Sequence, residues 1–193
     1  MSDAGLVPTT PLAVLNTLSM PGLSAAGELT RHVLRGRAGI HAPAAEVLGF
    51  ALPVEACRAA GAGGRHALWL GPDEWLLLAP AGDRLDKALA FAAGDAAYSL
   101  VDVSHRQVGL ILDRPDASAV LAVGCALDLD IAAFPVGMCT RTLFAKADVV
   151  LWRTGENVFH IEVWRSFADY LCRYLAQAGV EFAGGRRTPP AQD

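Results

Sequence analysis

An aspartate, a serine and a histidine lie within four positions of one another in "SLVDVSHRQVGL", residues 99–110. Asp102, Ser104 and His105 are the residue types of a hydrolytic triad, in which an imidazole lies between a hydroxyl and a carboxylate. The surrounding residues predict a β-strand, whose alternate side chains face opposite sides. Asp102 and Ser104 would share one face, and His105 would point to the other. The stretch also lacks the Gly-x-Ser-x-Gly turn that exposes a nucleophile. We therefore interpret it as a strand end whose polar groups bond to nearby backbone.

Residues that could bind a metal or a phosphate also have unsuitable spacing. No two of the five histidines fall three or four apart on a predicted helix. The glycine-rich segment 59–64 predicts a flexible loop, because no Lys-Ser/Thr pair or helix start follows it. The cysteines, interpreted as reduced and mostly buried thiols without CxxC or zinc spacing, are Cys57, Cys125, Cys139 and Cys172. We predict no catalytic, cofactor-binding or metal-binding residue in this chain.

Paired aspartates and two arginines are weaker candidates for binding. Asp113 and Asp116 flank a predicted helix start, where capping and the helix dipole explain them. Asp128, in "LDLD", could face solvent or bind an arginine of a partner. Arg141 and Arg165 lie at the edges of predicted elements and could bind an anion or a neighbouring carboxylate.

The composition indicates an unusually apolar protein. Of the 193 residues, 53% are hydrophobic and only 19% are charged, against about 25% charged in an average domain. Such a chain has either a very full core or a surface that a partner covers, and we favour the partner. The net charge of -4 argues against nucleic-acid binding. There is no apolar run of about 20 residues and no basic leader, so we expect a cytoplasmic protein without membrane contact.

The hydrophobic pattern predicts an α+β fold, with helices packed on antiparallel sheets. Two units repeat the order strand, turn, strand, helix. In the first, "HALWLGPDEWLLLAP" is followed by a helix that Asp83 caps and Gly94 ends. In the second, "DVVLWRTGENVFHIEVW" is followed by a helix from Ser166 to Gly179. Further elements are a strand at 29–36, a helix at 42–50, strand material at 98–112, and a helix at 113–125 with Asp113 or Arg114 as its cap and Pro115 in its first turn.

The chain divides into three parts on this interpretation. Residues 1–28 predict an irregular amino-terminal arm, and residues 184–193 a flexible tail. Residues 29–183 form one compact α+β domain or two interleaved subdomains. Within it, residues 125–141 lack a clean period and predict a long ordered loop, lying on the body or on a neighbour.

Seven segments in order resemble one protein family. They are "VLRG" (33–36), "LGFALP" (48–53), "LWLGPDEWLLLAP" (68–80), "VDVSHRQVGLIL" (101–112), "ASAVLAVGCALDLD" (117–130), "FPVGMCTRT" (134–142) and "VWRSFADYL" (163–171). Over roughly residues 30–180 the chain resembles the gamma subunits of heterotetrameric sarcosine oxidases. That family is similar in fold to the folate-binding aminomethyltransferases, the glycine-cleavage T-protein group.

The resemblance implies a complex of four different subunits. That complex demethylates sarcosine oxidatively to glycine, forms hydrogen peroxide and passes the one-carbon unit to tetrahydrofolate. It also implies that FAD, FMN, NAD and the folate site belong to larger subunits and zinc to the smallest, so that this chain is a non-catalytic subunit acting in assembly and stabilisation. The chain is too short for the carboxy-terminal barrel of the aminomethyltransferases and lacks the "KGCxxGQE" segment of a related branch. A complete folate site is therefore not expected.

We expect this chain to dock chiefly on the large flavoprotein subunit. The tryptophans of the hairpins suit half-buried strands and also interface anchors. The candidate interface residues are Trp69, Trp75, Asp128, Phe134 and Arg165.

Two alternatives remain at this stage. One is a stand-alone folate-binding or one-carbon-transfer protein, for which Asp102, Arg141 and Arg165 are the candidate pocket residues. The other is a folding factor needed for cofactor insertion but absent from the finished enzyme.

Overall fold

The computed structural model of the protein describes residues 12–183, which form two antiparallel sheets of five strands each. The strands are β1 (Leu23–Ala25), β2 (Leu29–Gly36), β3 (Ala59–Ala62), β4 (Arg65–Gly71), β5 (Glu74–Pro80), β6 (Tyr98–Asp102), β7 (Gln107–Asp113), β8 (Cys139–Phe144), β9 (Ala147–Gly155) and β10 (Val158–Trp164). The helices are α1 (His41–Leu48), α2 (Leu85–Ala92), α3 (Ala117–Ala122) and α4 (Ala168–Ala183).

Each sheet contains one of the predicted hairpins. The first sheet has the strand order β1-β7-β10-β9-β8, and the second has the order β3-β4-β5-β2-β6. In the second sheet Trp69 of β4 lies opposite Trp75 of β5. In the first, β9 and β10 join through a turn at Glu156 and Asn157. The predicted α+β class is confirmed, and the strand predicted at residues 29–36 is β2.

The molecule has four layers, with the two sheets inside and the helices outside. Successive side chains of a strand face opposite layers. On β5, Trp75 and Leu77 face α1 and α2, whereas Leu76 and Leu78 face the other sheet. The opposite outer core forms where α3 and α4 cover the first sheet, for example around Phe159. Because both faces of β5 are covered, this strand is apolar almost throughout.

The loop predicted at residues 125–141 is ordered and packs on the body, and β8 begins within its last residues. Leu129 and Phe134 insert into the core beneath α3. The buried guanidinium of Arg153 donates hydrogen bonds to the carbonyl oxygens of both residues, at 3.1 Å and 2.8 Å. These bonds satisfy backbone acceptors that an irregular loop would otherwise leave unpaired.

The glycine-rich segment 59–64 is not the flexible loop that we predicted, since its first four residues form strand β3. Ala59 to Ala62 pair with β4, opposite Leu68 to Arg65. A side chain at Gly61 would lie 2.2 Å from Nδ1 of His66. The glycine there permits close approach of the neighbouring strand.

Two helix starts differ from the prediction. Asp83 does not cap α2, because its carboxylate accepts hydrogen bonds of 2.7 Å and 3.1 Å from Arg65. The helix begins two residues later at Leu85, and Gly94 follows its end with φ +51°, as predicted. The helix at 113–125 is the shorter α3, which starts after Asp116 without a side-chain cap. The Asp116 carboxylate is bonded to Arg114.

The prediction for the last helix is wrong at both ends. A 3-10 turn at Arg165–Phe167 precedes α4, and the helix passes through Gly179 to Ala183. A Cβ atom at Gly179 would lie 2.8 Å from Nη1 of Arg114 and 3.0 Å from Cε of Met20. This glycine therefore lets α4 pack closely against Arg114 and Met20, and it does not end the helix.

The described part of the amino-terminal arm contains regular structure. Residues Ala13–Asn16 form a 3-10 turn, and β1 pairs with β7. The irregular arm expected over residues 1–28 is therefore wrong for these positions. Residues 1–11 and the tail 184–193 lie outside the described residues.

Candidate functional site

The Asp102–His105 stretch forms a local turn and not a catalytic triad. Asp102 Oδ1 accepts a hydrogen bond of 2.8 Å from the backbone N–H of Ser104. Ser104 Oγ accepts one of 2.9 Å from the backbone N–H of Arg31 on the neighbouring strand. Hydrogen bonding to Ser104 is also the main cause that lowers the pKa of Asp102. The polar groups satisfy backbone at a strand end, as the sequence predicted.

A buried ion pair joins the two sheets. Arg31 of β2 donates hydrogen bonds of 2.6 Å and 3.0 Å to the carboxylate of Glu162 on β10. His160 approaches the same carboxylate, with Nε2 at 2.7 Å from Oε1. Gly109 lies opposite Glu162 on β7, and a Cβ atom there would lie only 2.6 Å from Oε1. Sequence reasoning missed this site, because its residues come from distant parts of the chain.

The hydrogen bonds of this cluster favour the ionised form of Glu162. Burial alone would raise the pKa of Glu162, but hydrogen bonds from His160 and Arg31 outweigh it and hold that pKa below its usual value. Burial, and then the neighbouring His160, lower the pKa of His66, whose ring packs on Trp152. A carboxylate bonded from two sides inside the molecule is suited to fixing how the sheets pack. It is not open to a substrate.

An open crevice of about 580 Å³ lies where the two sheets separate at one end. Its second-sheet wall includes Val101 of β6 and Glu74 of β5, and its first-sheet wall includes Trp164 at the end of β10. The Glu74 carboxylate accepts hydrogen bonds from Arg35 at 2.6 Å and Arg141 at 2.8 Å. Although burial works in the opposite direction, these two arginines lower the pKa of Glu74.

A further arginine lies at the mouth of this crevice. The guanidinium of Arg106 lies over the ring of Trp164, with its carbon 5.4 Å from the ring centroid. Within residues 12–183, no carboxylate oxygen comes within 4.0 Å of this guanidinium. The crevice therefore combines exposed apolar surface with a cation that forms no ion pair within the described residues.

The three candidate folate residues do not share a pocket in this structure. Arg141 lines the inter-sheet crevice. Asp102 lines a separate pocket of about 430 Å³, beside His32 and Asp86. Arg165 is exposed, with Nη1 at 3.4 Å from the carbonyl oxygen of His105. The geometry gives no support to a folate pocket built from this set.

The candidate interface residues divide between core and surface. Trp75 is fully buried and donates a 2.7 Å hydrogen bond to the carbonyl of Pro53, and Phe134 is fully buried in the other core. A side chain without exposed surface contacts no partner, so these two residues are core residues and not anchors. Trp69 is half-buried, whereas Asp128 and Arg165 are exposed.

Apart from Trp164, which is one of the hairpin tryptophans, the sequence did not indicate which large apolar side chains are exposed. Among the described residues these include Phe91, at 93%, Val101, at 51%, and Trp164, at 44%. Val101 and Trp164 line the crevice, whereas Phe91 lies on α2. Strand alternation places a residue on one face, but it cannot tell whether the opposite sheet reaches far enough to cover that face.

Metal binding and membrane crossing find no support in the described residues. Within residues 12–183 no three histidine, cysteine, aspartate or glutamate residues are arranged to hold a metal ion. None of the helices described is both long and apolar enough to cross a membrane. The four cysteines are unpaired thiols, and three of them are buried.

Comparison with known proteins identifies relatives over most of the chain. Residues 35–181 match the family model described as sarcosine oxidase, gamma subunit family. The sarcosine oxidase subunit gamma of Corynebacterium sp. (strain P-1) is 39% identical over 146 residues, covering 75% of this chain and 72% of the relative. The protein of the same name from Arthrobacter sp. is also 39% identical, over 149 residues, covering 77% of this chain and 73% of the relative.

Solved structures agree with this relationship. A chain of the heterotetrameric sarcosine oxidase from Corynebacterium sp. U-96 superposes with a TM-score of 0.82 at 32% identity, covering 91% of this chain and 96% of that one. The glycine cleavage system aminomethyltransferase T from Bartonella henselae shares the fold, with a TM-score of 0.60 at 20% identity, covering 86% of this chain and 48% of that one. The resemblance stated from the sequence is confirmed, and the chain belongs to the sarcosine oxidase gamma subunit family.

Proposed function

We propose that this protein is the accessory gamma-type subunit of a heterotetrameric sarcosine oxidase, where it acts in assembly and stabilisation. The observation that carries the proposal is its superposition on a chain of such an oxidase across 91% of its own length and 96% of that chain. A match over nearly the whole of both chains favours the same role within the same kind of complex.

The chemistry of the proposed complex belongs to its other subunits. FAD, FMN, NAD, tetrahydrofolate and zinc bind there, and the large flavoprotein subunit is the main partner of this chain in the cytoplasm. The arrangement of this chain supports that division, because the buried Arg31–Glu162 pair is closed to solvent and the Asp102–His105 turn bonds to backbone. Arg106 and Trp164 give the chain a surface suited to a partner.

The proposal is tested by co-expressing the three other subunits with and without this chain. We expect omission to lower the yield of assembled, flavin-loaded complex. Hydrogen peroxide formation from sarcosine, counted per bound flavin, should change little in whatever complex remains. An equal yield without this chain, or a large loss of activity per flavin at unchanged assembly, would contradict the assembly role.

Tetrahydrofolate binding by the isolated chain tests the alternative of a stand-alone folate protein. Calorimetry with (6S)-tetrahydrofolate should show no binding at 100 μM ligand. Saturable binding that the change Arg141→Ala abolishes would favour the folate role over the proposed one.

A further inference from the structure

We infer that the inter-sheet crevice is the docking site for an extended acidic segment of another subunit, which lays a carboxylate against Arg106 and an apolar side chain against Val101. The inference deepens the proposed function and rests on it. It assigns the docking contact to one place on this chain and states the chemistry of what binds there.

The apolar part of the crevice is a sheet face that no other element of the described chain covers. Within residues 12–183, strand β6 is the last strand of the second sheet and pairs only with β2. Val101 faces the first sheet and lines the crevice, yet 51% of it remains exposed. Elsewhere this inter-sheet layer is closed by packed side chains such as Leu68 and Leu78. An apolar side chain inserted beside Val101 would continue that layer.

The charge of the crevice selects an acidic occupant. Three guanidinium groups (Arg35, Arg106 and Arg141) line it against two carboxylates (Glu74 and Asp148), which leaves one net positive charge. The chain as a whole carries a net charge of -4, so this is a local excess of the opposite sign. Arg35 and Arg141 share Glu74, whereas within residues 12–183 no carboxylate oxygen lies within 4.0 Å of the Arg106 guanidinium. A carboxylate from a partner would give Arg106 a close counter-charge. Such charge complementarity also fixes the register in which two partners meet at an interface.

The free edge of β6 favours a partner segment in extended conformation. Among the described residues β6 pairs with β2 on one side, so its other edge presents unpaired backbone N–H and C=O groups beside the crevice. A segment that lies along this edge in extended conformation can pair with those groups.

Competition between wild-type and variant chains tests the inference in the assembled complex. Tagged partner subunits are co-expressed with equal amounts of the wild-type and variant chains. Mass spectrometry then gives the ratio of variant to wild-type chain in the purified complex, which is divided by the same ratio in the soluble protein before purification. We expect Arg106→Glu and Val101→Asp to be incorporated at least about tenfold less than wild type, since interface residues of this kind contribute about 1.4 kcal/mol or more. The matched controls Arg84→Glu and Val54→Asp change exposed residues outside the crevice and should compete within about threefold of wild type.

A photo-crosslinking side chain in place of Ser99 identifies the occupant directly. Ser99 is exposed in the crevice, on the same face of β6 as Val101. In the purified complex we expect its adduct on a partner peptide that carries Asp or Glu beside an apolar residue. An adduct on a basic peptide, or on a second copy of this chain, would overturn the inference.

The outcomes separate this inference from the proposed function. If wild-type chain enters the complex and all four variants compete equally, the crevice is not the docking site, although the proposed function stands. If wild-type chain does not enter the complex, both fail. If Arg106→Glu abolishes tetrahydrofolate binding by the isolated chain and leaves assembly unchanged, the crevice is a small-molecule site and the inference is wrong.

Discussion

At the scale of single residues, buried charge distinguishes this protein from an ordinary apolar double-sheet core. Glu162 is fully enclosed and bonds Arg31 across the sheet interface. Desolvating two charges is costly, and good geometry with further hydrogen bonds is needed to offset that cost. Here the bidentate contact with Arg31 and the bond to His160 provide both. The cluster therefore fixes the relative position of the two sheets, since any other register would leave buried charges unpaired.

Replacing Glu162 with Gln tests the importance of this pair. The change leaves the Arg31 guanidinium buried without a counter-charge, so we expect a loss of about 3 kcal/mol in the free energy of unfolding, measured by urea denaturation. The control is Asp169→Asn, which removes an exposed partner of Arg173 on α4. It should have a small effect, because solvent screens exposed pairs. Similar losses in the two variants would show that the buried pair contributes no more to stability than an exposed pair.

The lowered pKa of His66 predicts a loss of stability below neutral pH. Its pKa in the folded protein lies below the value of 6.5 that the unfolded chain retains. As the pH falls below 6.5, the unfolded chain binds the proton first, so the free energy of unfolding decreases. The change His66→Asn should flatten the profile of unfolding free energy between pH 7 and pH 5.5. A wild-type profile that already lacks this slope would contradict the lowered pKa.

The depressed pKa of Glu162 adds a second loss of stability at lower pH. Its contribution is present in full above about pH 4.5, the ordinary carboxyl value, and disappears as the pH falls through its lower folded value. The Glu162→Gln variant should therefore lose less stability than wild type between pH 4.5 and pH 3. An equal loss in both proteins would assign the acid sensitivity to other carboxylates.

The cysteines should differ strongly in reactivity. Burial raises the pKa of Cys139 to about 12 and that of Cys172 to about 11. Because the thiolate is the reactive form, neither should react with Ellman's reagent in the native protein at pH 8. Cys57 is half-buried and should react first. Mass spectrometry of the labelled protein locates the modified residue, and rapid native labelling of Cys139 would contradict the packing around it.

At this scale the sequence alone does not show which side chains are buried, and this limits what it predicts. The residue types around Asp102 and Ser104 were enough to reject a triad, because strand geometry is local. The anchoring role expected for Trp75 failed, because a tryptophan on a strand suits a core and an interface equally well. Trp75 is a core residue because a helix layer covers one face of β5 and the first sheet covers the other, and the sequence alone does not show this. The exposure of Val101 depends in the same way on how far the opposite sheet extends.

At the scale of elements, β1 shows that a short edge strand can form from residues with weak strand preference. Its three residues pair with β7 and cover the edge of the first sheet. Leu23, Ser24 and Ala25 have weak strand preference, which explains why the sequence predicted an irregular arm. Similarly, the alanines and glycine of β3 give no strand signal, although β3 pairs with β4 over its whole length. Both hairpins were predictable, because apolar runs on either side of a polar turn are a local pattern.

Gly22 is the residue that allows β1 to reach its position. It has φ +85°, and a Cβ atom would lie 2.2 Å from the carbonyl oxygen of Asp113. We expect Gly22→Ala to lower the free energy of unfolding by roughly 3 kcal/mol, from backbone strain and the clash together. Gly27 has φ +78°, but no atom of the described residues lies within 4 Å of such a Cβ. Gly27→Ala should therefore cost only the strain, about 1 kcal/mol.

Hydrogen exchange separates a local effect at β1 from global destabilisation. The backbone N–H of Asp113 donates a 2.7 Å hydrogen bond to the carbonyl of Gly22. In Gly22→Ala this amide should lose protection while amides in the second sheet keep theirs. Equal costs for the two glycine variants, or uniform loss of protection, would contradict the role given to Gly22.

At the scale of the whole molecule, the apolar residues lie in two kinds of place, the buried cores and one part of the surface. Many of them fill three layers of buried side chains, one between the sheets and one beneath each helix pair. The rest includes exposed residues such as Val101 and Trp164, which lie together at the open end of the sheet interface. A sequence read alone predicts the excess but not this division, because the division depends on how the two sheets overlap.

The central claim is that this chain is a structural member of a four-subunit oxidase. Native mass spectrometry of the gently purified protein, from cells that express all four subunits, tests it most directly. We predict a single assembly with one copy of this chain, one copy of each of the three others and the mass of bound flavin. A lone monomer or a homodimer, with the other three subunits assembled without it, would contradict the claim.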